Sequence, residues 1–110
     1  MAAVLNIFKT VTAELTTSDQ EIYVSPTGYT AIVLMAQVSN VTTTPVSVTV
    51  AHHYSTTNTE LLKDFVIPGN DAVSATMGKL VLEDGHSVKA SASADNTVKM
   101  VLSILETLNG

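Results

Sequence analysis

Histidine is the residue type in this chain best suited to metal binding or acid–base chemistry, and the chain has three. His52 and His53 are adjacent in a stretch whose alternation predicts a β-strand, so their side chains are expected to point to opposite faces. His86 follows a predicted turn and has no partner at ligand spacing in the sequence. The pattern therefore predicts no metal site, and we expect two exposed histidines and one that is half-packed.

The acidic and hydroxyl side chains also lack the spacing of a catalytic or cofactor site. The carboxylates lie mainly in or near predicted turns, and no segment has the ligand spacing of a calcium loop. These residues are Glu60, Asp64, Asp71, Glu83, Asp84 and Asp95. No serine lies in a Gly-x-Ser-x-Gly elbow, and the five glycines are scattered singly instead of forming a phosphate-binding loop. We therefore predict no catalytic residue and no cofactor, and we do not expect an enzyme.

Composition limits the partners that this chain can have. The net charge is -5 and there is no arginine, which argues against binding to the phosphate backbone of nucleic acids and to anionic membrane surfaces. The longest apolar run, Ala31 to Ala36, is far short of the ~20 residues that a membrane-spanning helix needs. Charged residues make up only 14% of the chain, which suits a protein packed against copies of itself, although threonine-rich sandwiches often share this feature.

The elements that must position these residues are strands, because 15 valines and 16 threonines favour a pleated sheet. We predict one domain, residues 1–110, with the fold of an all-β antiparallel β-sandwich of about eight strands, either jelly-roll or immunoglobulin-like. Residues 1–16 are expected to form the first strand or strands, or an N-terminal arm. The later predicted strands are Glu21 to Val24, Tyr29 to Ser39, Val46 to Tyr54, Leu61 to Ile67, Ala72 to Met77, Lys79 to Leu82, Ser87 to Ser93 and Thr97 to Glu106.

Two of these segments carry more specific expectations. The stretch from Tyr29 to Ser39 is apolar on both faces, so it is expected to be a central strand. Its expected faces are Ile32, Leu34, Ala36 and Val38 on one side and Ala31, Val33 and Met35 on the other. The polar residues Ser55 to Thr59 are expected to form an exposed loop.

The order of turn and strand motifs along most of the chain resembles that of a group of short all-β virion proteins of tailed bacteriophages, especially those of cyanobacteria and other aquatic hosts. The resemblance covers about residues 4 to 106, and its motifs are Ile22 to Val33, Val38 to Val41, Ile67 to Asp71, Gly78 to Val88, Ala90 to Ser93 and Val101 to Glu106. His86 stands where this group often has Asp, in a Gly-Asp-Ser turn. The resemblance implies a non-enzymatic structural subunit located in the virion, in a capsid decoration, cement or head–tail accessory role.

Such a subunit is expected to associate with copies of itself, for example as a trimer, and with other virion proteins. The candidate interface residues are Val4, Leu5, Ile7, Tyr29 and Tyr54. The segment Val4 to Val11 either adds to a sheet of a neighbouring subunit or pairs within its own sheet, and we favour the second arrangement. The alternative function is a tail-fibre-type receptor- or glycan-binding module, with a shallow site built from loop residues such as His53, Tyr54, Asn58, Asp95 or Asn96.

Overall fold

A computed structural model describes residues 6–109, and these residues form nine β-strands. The strands are β1 (Asn6–Glu14), β2 (Gln20–Val24), β3 (Tyr29–Asn40), β4 (Val46–Tyr54), β5 (Thr57–Ile67), β6 (Ala72–Ser74), β7 (Leu80–Leu82), β8 (Ser87–Ala92) and β9 (Val98–Leu108). This confirms the all-β prediction. Within residues 6–109 there is no helix with the length and apolar character that crossing a membrane would require.

The strands form two antiparallel sheets with nested pairing. Sheet A has the order β1-β9-β3, with both β6 and β7 pairing to the far side of β3; sheet B has the order β2-β8-β4-β5. The first strand therefore pairs with the last, the second with the second-last, and so inward to the β4–β5 hairpin. A hairpin folded over in this way is a jelly roll, which decides between the two predicted sandwich types. Strands β6 and β7 both pair with β3 on the side away from β9, one after the other along its length. The nine strands therefore occupy eight strand positions in the two sheets.

The core lies between the sheets and is built almost entirely from small and β-branched side chains. Val46, Val48 and Val50 point inward from β4, as their alternation predicts, and each is at least 95% buried. Strand β9 contributes five consecutive inward positions, which are Val98, Met100, Leu102, Ile104 and Glu106. Strand β9 thus has one buried face and one face directed away from the core.

Strand β3 is central, as predicted, but its faces differ from the expected alternation. A bulge between Val33 and Met35 inserts Leu34 as an extra residue in the pairing with β9. The inward face is therefore Ala31 and Val33 before the bulge and Ala36 and Val38 after it. The expectation that Leu34 and Ala36 share one face is wrong, because the bulge shifts the alternation by one residue.

The prediction of an exposed loop from Ser55 to Thr59 is wrong for the last three residues of that segment. Residues Thr57 to Thr59 belong to β5, and only Ser55 and Thr56 connect it to β4. Ser55 has φ 60°, the sign that a two-residue hairpin turn needs at its first position. The residues look like a loop in the sequence because β5 is an exposed edge strand that carries polar side chains.

The N-terminal strand pairs within its own sheet. Strand β1 pairs with β9 over nine residues, from Asn6 opposite Thr107 to Glu14 opposite Lys99. This is the arrangement that the sequence analysis favoured for the segment from Val4 to Val11. Val4 and Leu5 lie outside the described residues.

Loops group at the two ends of the sandwich, which we name by a residue at each. The His86 end holds the turns at 25–28, 55–56 and 83–86, and the Asn40 end holds the loops at 41–45, 68–71 and 93–97. At the Asn40 end the buried amide of Asn40 donates to the carbonyl oxygens of Thr44 (2.7 Å) and Ile67 (3.0 Å). Gly69 lies so close to Thr43 that an added Cβ would be 2.3 Å from its carbonyl oxygen. These contacts fix the two loops against each other.

Candidate interaction surfaces

The three histidines lie near the His86 end, and the fold brings two of them into contact. His52 and His53 point to opposite faces of β4, as predicted. The Nε2 atom of His52 lies 2.9 Å from Nδ1 of His86, and the ring of Tyr54 lies over His86 with centroids 4.2 Å apart. All three histidines are half-buried, which differs from the expectation of two exposed rings. The sequence does not reveal this pair because its members are 34 residues apart.

The His52–His86 pair works as a hydrogen bond between two rings. One ring must donate a proton and the other must accept it, so both cannot be protonated at once. Burial lowers the pKa of His52, the neighbouring His86 and His53 lower it further, and Glu83 opposes them. Among residues 6–109 no group of three or more His, Asp or Glu side chains is arranged to hold a metal ion. The pair therefore fastens β4 to the turn at 83–86.

The five residues of the predicted glycan site do not meet. The ring of His53 contacts the amide of Asn58, which donates to Asp19 at 3.2 Å. Asp95 and Asn96 lie at the Asn40 end, where the Asp95 carboxylate accepts from the backbone N–H of Thr17 at 2.9 Å. His53, Tyr54 and Asn58 are near the other end of the sandwich, so a single site cannot use all five.

A single ionisable side chain is buried among the described residues, and it joins the sheets. Glu106 is 2% exposed and points inward from β9. Its carboxylate accepts a hydrogen bond from the phenol of Tyr23 on β2 and forms an ion pair with Lys9 on β1 at 3.1 Å. Burial, followed by the bond to Glu106, raises the pKa of Tyr23 far above its ordinary value, so the phenol keeps its proton. This cluster connects three strands across the core.

Three of the five predicted interface residues lie within the described part of the chain, and all three are at the His86 end. Ile7 points inward beside Glu106, and Tyr29 is half-buried opposite Leu108. Tyr54 is the one that is mainly exposed, with 52% of its surface accessible. The end is therefore aromatic, but little of its apolar surface is available to a partner.

A continuous apolar surface lies on the outer face of sheet A. Phe8 is opposite Leu105, Leu105 is opposite Ile32, and Ile32 is opposite Val81, so these side chains form a row across four strands. We call this the apolar row. Phe8 is 75% and Val81 54% exposed. The sequence analysis missed the row, because it depends on the register between strands that are far apart in the chain.

Among the paired residues of β1, β9 and β3 on this face, charge lies only at the end away from the apolar row. Successive rows toward the Asn40 end carry Thr10, Ser103 and Met35, and then Thr12, Val101 and Gln37. Only the last row is charged, with Glu14 opposite Lys99. A surface depression of about 550 Å³ lies beside this pair. The residues that line it include one acid, Glu14, one base, Lys99, and the hydroxyl side chains of Thr12 and Ser39.

The outer face of sheet B is charged near its middle. Glu21, Lys89, Ala51 and Glu60 are consecutive partners across its four strands. Lys89 also forms an ion pair with Asp19 at 3.3 Å. The two outer faces of the molecule therefore differ in chemistry: sheet B carries charges across its middle, beside exposed apolar side chains such as Val66, whereas the apolar row of sheet A contains no charge.

No family model matches this chain, and no curated protein matches it. Solved structures with the same fold do exist. A chain in the acidic stable capsid structure of Helicobacter pylori bacteriophage KHP30 has a TM-score of 0.59 at 16% identity, over 99% of this chain and 92% of that one. A chain from the disulfide-linked pili of Bacillus endospore appendages has a TM-score of 0.57 at 11% identity, over 96% and 88% of the two chains.

A third similar structure is larger. A chain of the T13 IBDV viral particle has a TM-score of 0.52 at 9% identity, and the match covers 99% of this chain but 32% of that one. At these identities the comparisons establish a common fold. They confirm the sandwich and its jelly-roll arrangement along essentially the whole chain.

Proposed function

We propose that this chain is a non-enzymatic structural subunit of a virus particle and is located in the virion. The observation that carries the proposal is the jelly roll itself, which matches the phage KHP30 capsid chain along almost the full length of both. The unequal outer faces support it, because a building block needs one face for contact and tolerates another in water. The sequence resemblance to short virion proteins of tailed phages points the same way.

Within a particle, a decoration, cement or head–tail accessory role suits this chain. Such a role needs association with copies of itself and docking on other virion proteins, and the outer face of sheet A offers the apolar surface for either. The stacked ring of Tyr54 offers a smaller second contact at the His86 end. Val4 and Leu5 precede β1, whose outer edge adjoins that face.

A pilus-type subunit is the second candidate function, since the Bacillus appendage chain has nearly the same structural similarity. That protein forms disulfide-linked pili, whereas this chain contains no cysteine and cannot form such links. Subunits of this chain would have to be joined by non-covalent contacts alone. A receptor- or glycan-binding site would have to use one of two separate groups, either His53, Tyr54 and Asn58 or Asp95 and Asn96.

The proposal is tested on virus particles that encode this chain. Purified particles are examined by mass spectrometry for the chain, and by electron cryo-microscopy for its position and copy number. We expect a fixed, symmetry-related number of copies in every particle. Absence of the chain from purified particles would contradict the proposal. Long filaments formed by the purified recombinant chain would favour the pilus function instead.

A further inference from the structure

The outer face of sheet A carries a protruding side chain next to a hollow. Phe8 on the edge strand β1 is 75% exposed, and beside it lies a depression of about 230 Å³. Phe8, Thr10, Ser103 and Leu34 are among the residues that line it. The small side chains of Thr10 and Ser103 form its floor, since they occupy the row next to the apolar row. Leu34 reaches the rim because the β3 bulge inserts it there.

We infer that this face binds the same face of a second copy of the chain, with Phe8 of each copy entering the depression of the other. A two-fold interface must be complementary to itself, so that residue i contacts residue j and j contacts i. A protrusion with a hollow directly beside it meets that condition, since a two-fold axis between them places each protrusion in the partner's hollow. This inference rests on the proposed function, and it names the partner and the contact.

Charge favours a second copy of the chain on this face and not on the other. Copies that each carry a net charge of -5 repel one another unless the contact surfaces are neutral. The paired rows of β1, β9 and β3 on the outer face of sheet A contain one acid, Glu14, and one base, Lys99, so these rows have no net charge. The corresponding row on sheet B contains Glu21 and Glu60 against Lys89, and it would repel its own copy.

The available area is also sufficient. Four strand positions about 4.8 Å apart and nine residues at about 3.4 Å each give a footprint of roughly 580 Å² per copy. Two copies would then bury roughly 1,200 Å², which is the lower limit for a specific, stable interface. A dimer of micromolar affinity is therefore expected, with Phe8, the aromatic side chain that enters the partner's depression, as its main contact.

The test is sedimentation equilibrium of the full chain and of two matched variants over a range of micromolar concentrations. Phe8→Ser removes the protrusion (75% exposed), and Val66→Ser removes another exposed apolar side chain (58% exposed) from the outer face of sheet B. We expect the wild-type chain to dimerise and the dissociation constant of the F8S dimer to be at least about 30-fold higher. The dissociation constant of V66S should equal that of the wild type. Because Phe8 and Val66 are both exposed, neither substitution should impair folding, and circular dichroism checks this.

Several outcomes would overturn the inference. A monomeric wild-type chain, an F8S variant that dimerises as well as wild type, or equal losses in F8S and V66S would each do so. Attachment of a monomeric wild-type chain to particles, lost in F8S, would assign the face to a different virion protein. The presence of the chain in purified particles is measured separately, so the proposed function can stand when this inference fails.

Discussion

The contact between Tyr23 and Glu106 allows a quantitative test of how the two sheets are held together. Tyr23→Phe removes only the hydroxyl that donates to the buried Glu106 carboxylate. A hydrogen bond to a charged group contributes about 1.5–3 kcal/mol, so the free energy of unfolding should fall by that amount. At about 4 °C per kcal/mol for a domain of this size, the melting temperature should fall by roughly 6–12 °C. Urea unfolding followed by circular dichroism measures the first quantity, and a thermal scan measures the second.

Two comparisons show whether this reasoning is right. Tyr54→Phe serves as the matched control, because Tyr54 is half-exposed and its hydroxyl end can reach water; its stability should stay within about 0.5 kcal/mol of wild type. In a Glu106→Gln background the acceptor is neutral, so the cost of Tyr23→Phe should drop to about 0.5–1.5 kcal/mol. If Tyr23→Phe is no more costly than Tyr54→Phe, or costs the same in both backgrounds, the buried carboxylate does not anchor β2.

Two further predictions concern the loops and the histidines. Gly69→Ala should lower the free energy of unfolding by about 1–3 kcal/mol, because the added Cβ would lie 2.3 Å from the carbonyl oxygen of Thr43. Gly78→Ala is the control: Gly78 has open space around it, so this variant should change the free energy of unfolding by less than about 0.5 kcal/mol. Equal effects of the two variants in urea unfolding would refute this prediction. Burial lowers the pKa of His52 below its ordinary value near 6.5, so the unfolded chain binds that proton more tightly. The His52 contribution to stability is therefore full above about pH 6.5 and is lost as the pH falls through the lowered pKa. Unfolding curves of His52→Gln should show a smaller dependence on pH in that window, and an unchanged dependence would count against it.

Local patterns predicted those features of the fold that depend on neighbouring residues. Alternation placed Val46, Val48 and Val50 in the core and put His52 and His53 on opposite faces. Pro26 and Gly28 account for the turn before Tyr29, since proline restricts its own φ and Gly28 adopts a positive φ of 84°. In each case the cause is steric or periodic and acts within a few residues, so one segment of sequence is sufficient.

Features set by pairing between distant strands were not predictable in this way. The His52–His86 contact and the row from Phe8 to Val81 both follow from inter-strand register, which no single segment specifies. The bulge at Leu34 could not be predicted, because Leu34 and Met35 are both apolar and the polarity of the sequence therefore does not show the shift in alternation. The outward apolar residues of β3 were therefore interpreted as a sign of its central position, when they also form part of an exposed face.

The nested pairing of the strands also determines the order in which strand pairs can form during synthesis. As the chain is synthesised, the β4–β5 hairpin can form early, because its strands are separated by two residues. Strand β1 is made first among the described strands, but its partner β9 is made last. During that interval β1 and Phe8 have no place in a sheet, and the final closure joins segments about as far apart as the chain allows, which is the slow kind of contact in folding. Neighbouring ribosomes on one mRNA hold several copies of the chain at high local concentration. Strand β9 of another copy can then compete with β9 of the same chain for pairing with β1.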